Sequence, residues 1–156
     1  MYAYNEEIAK ACESGRVVAI KKVIDRYSND KLPIKAMLFG ASVNGHDRAT
    51  KYLIDHCRKT GYPDEQLNAQ LEHVLSRAVQ AKHTKLVRML LKVVDVPEEQ
   101  RLKYIEWGIK TNSRRMVNSL MLAFGYSERK VAAVSDLMED MGTDKSITHK
   151  DILKEL

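Results

Sequence analysis

The chain has 156 residues, 44% hydrophobic and 30% charged, and its 26 Lys and Arg against 21 Asp and Glu leave a formal net charge of +5. That size suffices for one domain with its own core, and the two cysteines, Cys12 and Cys57, sit in apolar helical patterns as buried thiols would, which excludes a disulfide scaffold. No apolar run approaches the roughly 18 residues of a membrane span, and the start MYAYNEEIAK is acidic where a secretion signal would be apolar. A cytoplasmic protein is expected, in its own cell or in a host that receives it.

The first predicted element is a helix in which Ile8 precedes the small residue Ala11 by three positions, closed by a turn at Ser14-Gly15. Ile20, Val23 and Ile24 then follow the i, i+3, i+4 spacing of a second helix's buried stripe. Pro33 opens the next helix, with Leu38 and Ala41, and Asn44-Gly45 closes it. The segment ASVNGHDRATKYLIDHC, residues 41 to 57, aligns without a gap over ACESGRVVAIKKVIDRY, residues 11 to 27. Ala11 pairs with Ala41, Gly15 with Gly45, Ala19 with Ala49, Lys21 with Lys51, Val23 with Leu53, Ile24 with Ile54 and Asp25 with Asp55.

Pro63 precedes a helix from about Asp64 to Gln80, about two turns longer than its counterpart at 33 to 43. The frame then recurs in AVQAKHTKLVRMLLKVV, residues 78 to 94, with a turn at Ala81-Lys82 and a stripe of Val87, Leu90 and Leu91. Pro97 with Glu98 and Glu99 starts a helix whose acidic first turn suits the helix dipole, and GIKTNSRRMVNSLMLAF, residues 108 to 124, is the fourth copy. It turns at Thr111-Asn112 and carries Val117, Leu120 and Met121. Ser127 then caps a helix bearing Val131, Val134, Leu137 and Met138, and SITHKDILKEL adds a short last one.

The small anchors Ala11, Ala41, Ala78 and Gly108 stand 30, 37 and 30 residues apart, each three residues after Ile8, Leu38, Leu75 or Ile105. A lone helical hairpin cannot cover its own apolar stripe, so pairs of this kind must stack. The expected fold is therefore all-α: a single domain over 1–156, built as a stacked helix-turn-helix repeat solenoid, with about four copies over 1–126 and a C-terminal helical cap over 127–156.

The best-preserved copy resembles the second half of an ankyrin repeat, similar to A-A-x-x-G-H-x-x-x-V-K-x-L-L, through Ala41, Gly45, His46, Lys51, Leu53 and Ile54. The resemblance covers about residues 6 to 125. The family's T-P-L-H segment is absent, the corresponding stretches being Glu6 to Ala9, Ala36 to Phe39, His73 to Ser76 and Lys103 to Glu106, so elongated first helices are expected in place of β-hairpin fingers. Drifted repeats of this kind resemble those that large DNA viruses and intracellular bacteria use against host cells. The resemblance implies a protein-binding scaffold, an effector or regulator, and seldom an enzyme.

No phosphate-binding loop, dinucleotide fingerprint or nucleophile elbow occurs, and no catalytic, cofactor or metal site is expected. His46 and His83 share one position in the frame, the start of a second helix, where the ankyrin family commonly places His for turn hydrogen bonding. His56-Cys57 lacks the second pair a zinc site needs, and His73 and His149 have no evident partners.

Two surface patterns carry the functional expectations. On the first helices, His73, Arg77 and Gln80 and then Lys103, Trp107 and Lys110 follow i, i+4, i+7. Trp107 is the only tryptophan and stands where the other copies carry Lys10, Gly40 and Arg77, so His73, Arg77, Lys103, Trp107 and Lys110 are the candidate protein-binding residues of a concave face. The structural alternative is a Trp107 folded beneath the cap. On the second helices Arg48, Lys51, Lys85, Arg88 and Arg115 form a candidate basic outer stripe for an acidic partner or nucleic-acid phosphates. The bland alternative there is a solvated face. Arg48, Lys85 and Arg115 occupy a position that is often acidic in the ankyrin family.

Overall fold

A computed structural model describes residues 4–27 and 32–156; of the N-terminal stretch read above, MYA lies outside the described residues. The described residues form α-helices and no strands: α1 (Glu6–Glu13), α2 (Val17–Arg26), α3 (Ile34–Ser42), α4 (Asp47–Lys59), α5 (Asp64–Gln80), α6 (Thr84–Leu90), α7 (Glu98–Lys110), α8 (Arg114–Ala123), α9 (Glu128–Thr143) and α10 (His149–Leu153). They fall into two compact units, Met1–Ala78 and Val79–Leu156, with the boundary inside α5.

The chain's stop signals explain where the helices begin and end. Asn5 caps α1, its side chain accepting the Ile8 N–H at 2.9 Å, and Pro33 and Pro97 stand immediately before α3 and α7. Four turns share one geometry. At the residue four after each anchor, φ is left-handed: 69° at Gly15, 76° at Gly45, 62° at Lys82 and 53° at Asn112. Each of these residues donates its N–H to the carbonyl of the residue following the anchor, namely Cys12, Ser42, Val79 and Ile109. The next residue, Arg16, His46, His83 or Ser113, is then the N-cap of the second helix. Glycine adopts this backbone freely, asparagine tolerates it, and lysine is the costly choice.

In the first unit α1 packs on α2 and α3, α3 on α4, and α2 on α4. Ile8, Cys12, Ile20, Leu38, Leu53 and Ile54 are fully buried between them. His46 ties one turn to the previous one: its ring lies where a Gly15 side chain would be, and its Nε2 meets the Glu13 carbonyl at 2.9 Å. Thr50 interrupts the apolar stripe of α4 yet is fully buried, because its hydroxyl donates to the His46 carbonyl at 2.8 Å.

In the second unit α8 is central, packing on α6, α7 and α9, while α10 packs on α7 and α9. Gly108 is the anchor here because a Cβ would come within 2.8 Å of Val117 Cγ2, so side chains of α8 pack directly on the α7 backbone. Leu86, Val87 and Leu90 form the buried stripe of α6; Leu91 is its C-cap and only half-buried, since the helix ends one residue earlier than the apolar pattern suggests. On α9 the expected Leu137 is likewise half-buried, and Ser135 is buried with its hydroxyl accepting Arg114 Nε at 3.0 Å. Ser127 caps α9 and Thr148 caps α10 with a reciprocal bond from Asp151. The elongation of first helices is confined to α5 (17 residues) and α7 (13 residues), against 8 in α1 and 9 in α3.

Gly15→Ala is expected to cost about 2 kcal/mol or more, combining the left-handed penalty with collision against His46. Lys82→Gly should instead raise stability by about 1 kcal/mol by relieving the same backbone cost. Urea unfolding of both variants, with unchanged slope against denaturant, checks the two opposite signs.

Candidate functional site

Of the expected partner-binding residues, His73 and Arg77 belong to the first unit and Lys103, Trp107 and Lys110 to the second. On α5, Arg77 and His73 are one turn apart and Arg77 Nε donates to His73 Nε2 at 3.3 Å. The guanidinium also lies 5.1 Å from the centroid of the Phe39 ring on α3, a side chain 40% exposed. Phe39 was not among the expected residues. Its signal was its place two residues before the anchor, where the other copies carry Ala9, Ser76 and Glu106.

On α7 the Lys103 ammonium lies 5.0 Å from the centroid of Trp107, which is half-buried with its ring edge-on to Tyr104 at 5.3 Å. The Lys110 ammonium pairs with Glu106, one turn back on the same helix, at 3.0 Å. Glu106 also faces α10, with His149 Nε2 at 4.0 Å. The hydrogen bond from Lys110 holds the Glu106 carboxyl below the usual carboxylate range, assisted by the charges of Lys110, His149 and Lys150.

The five stripe cations are all exposed on their second helices. Two of them are engaged: Lys51 pairs with Asp55 at 2.8 Å, and Arg88 Nε donates to Ser119 Oγ at 3.0 Å, the hydroxyl passing on to the Arg115 carbonyl at 2.9 Å. The side chains of Arg48, Lys85 and Arg115 point their charge to solvent.

The first unit also carries a groove between α3 and α5, floored by the α4–α5 turn, with a cavity volume of about 1280 Å³. Ile34 and Phe39 line one wall and Ala69, Gln70 and His73 the other, with Tyr62 in the turn. Gln70 Nε2 donates to the Tyr62 hydroxyl at 2.9 Å, and Gln70 Oε1 is buried with no hydrogen-bond partner. The missed signal was on α5 itself. Its face at 66, 69, 70 and 73 reads Gln, Ala, Gln, His, too small and polar to close against a neighbour.

Both cysteines are free, fully buried thiols; burial pushes the Cys12 thiol up to about 12, with Glu13 adding to it, and the Cys57 thiol up to about 11. Among the described residues no group of three or more His, Cys, Asp or Glu side chains could hold a metal, and no helix is long and apolar enough to cross a membrane. Comparison with protein-family models, curated proteins and solved structures found no match.

Two outcomes follow from these groups. Neither thiol should react with a water-soluble disulfide reagent in the folded protein, and both should react once urea unfolds it. Asp151, held low by the Thr148 N–H and hydroxyl, caps α10 when ionised, and Glu106 of α7, held low chiefly by Lys110 and also by the charges of His149 and Lys150, attracts those two residues of α10. Because both folded values lie below the ordinary ones, that contribution is present above the carboxylate range and is lost as pH falls through it. Amide exchange in α10 should therefore accelerate below about pH 4 while that of α8 does not.

Proposed function

We propose that this chain is an ankyrin-like helical-repeat protein, four drifted copies and a cap formed by α9 and α10, that binds a protein partner and performs no catalysis. The shared left-handed turns at Gly15, Gly45, Lys82 and Asn112 support the repeat reading, since one turn geometry recurs at one place in the frame. The observation that carries the function is the pair of aromatic rings kept at the surface beneath cations, Phe39 under Arg77 and Trp107 under Lys103. Large aromatics backed by cations combine desolvatable area with charge that can pair across an interface, the composition of binding hot spots. A phosphate track along the second helices is the weaker reading, because Lys51 and Arg88 are held by Asp55 and Ser119 and no aromatic stacks between the cations.

Arg77→Glu and Lys103→Glu, both at exposed positions, are expected to reduce partner capture from a cell lysate about tenfold or more with far-UV circular dichroism and melting unchanged. Trp107→Ala should do the same with a lower melting temperature, given its contact with Tyr104. Capture that survives all three, or that disappears on nuclease treatment and weakens steeply with salt, would replace the protein partner by nucleic acid.

A further inference from the structure

We propose that the groove between α3 and α5 is a docking site for an acidic amphipathic helix of a partner protein, an inference that rests on the protein-binding reading and adds the partner's chemistry. Size comes first. The cavity of about 1280 Å³ exceeds the roughly 300 to 1,000 Å³ of sites that enclose small molecules. Its long walls are two helices, and the furrow between two helices accepts the side-chain ridge of a third. No strand edge exists among the described residues to pair with an extended peptide, which leaves helix-in-groove recognition as the mode the walls fit.

Charge selects the occupant. Among the described residues the lining holds Lys35 on the α3 wall and His73 on the α5 wall and no carboxylate, and it is overlooked by Arg77 where that side chain covers Phe39. The α3 wall is apolar, with Ile34 and Leu38 buried and Phe39 exposed. Ala69, a small residue in the α5 wall, leaves room there for an apolar side chain of the incoming helix. An apolar stripe flanked by Asp and Glu suits both the apolar wall and the cations, whereas a basic helix would set its cations against Lys35 and Arg77.

The test is selection of helical peptides from a displayed random library on the full chain. Enriched sequences are expected to carry apolar residues at i, i+3, i+4 and i+7 with net negative charge. A representative fluorescent peptide should bind Lys35→Glu and Ala69→Trp about tenfold more weakly than the parent, and Arg129→Glu, an exposed change in the other unit, equally well. No enrichment, enrichment without acidic bias, or equal binding to Ala69→Trp overturns the inference. So does concentration-dependent self-association in sedimentation that Ala69→Trp abolishes, because the occupant is then a second copy. If Ala69→Trp retains lysate capture that Lys103→Glu and Arg77→Glu lose, protein binding stands and the groove is not its seat.

Discussion

The small residues at Ala11, Ala41, Ala78 and Gly108 set how closely each first helix can be approached, and the apolar packing around them depends on that clearance. Gly108 is the extreme case, where Val117 of α8 occupies the space of a missing Cβ. Four residues later the chain must reverse within a single left-handed residue, and the next residue must start a helix. A bulkier side chain at the anchor or any lengthening of the turn would rotate the second helix, and residues such as Ile20, Ile54, Leu90 and Leu120 would leave the core together. His46 shows how this local rule becomes cooperative: by filling the place of a Gly15 side chain and meeting the Glu13 carbonyl, it makes one turn the support of the next.

Polar groups are distributed by the same economy. Those inside are satisfied locally, as with Thr50 on the His46 carbonyl and Ser135 beneath Arg114. The charges outside divide into two kinds. Lys51, Lys110 and Arg88 are spent on their own scaffold, whereas Arg77 and Lys103 cover aromatic faces that would otherwise meet water. The second arrangement is the one on which the binding proposed above rests.

Much of this was legible in the chain. Proline and hydroxyl signals located the starts of α3, α5, α7 and α9, and α5 runs over the residues expected of it, because caps and turns act within a few residues. Leu91 and Leu137 were misplaced for a different reason: an apolar residue at helical spacing is buried only if a neighbour covers it, and α6 stops too soon for Leu91. Lys82 and Asn112 look like ordinary turn residues, yet they adopt the backbone that glycine adopts in the first two pairs.

Periodicity and turn chemistry alone therefore determined the all-helical character, the helix pairs and their small anchors, since each is a consequence of interactions between residues near in sequence. The tertiary structure decided which exposed side chains share a surface. It brought Phe39 beneath Arg77 across 38 positions of chain, engaged Lys110 and Lys51 in ion pairs, and opened the groove between α3 and α5. No spacing rule contains those outcomes, because they depend on the distance between helices, and that distance is set by the packing of the whole core.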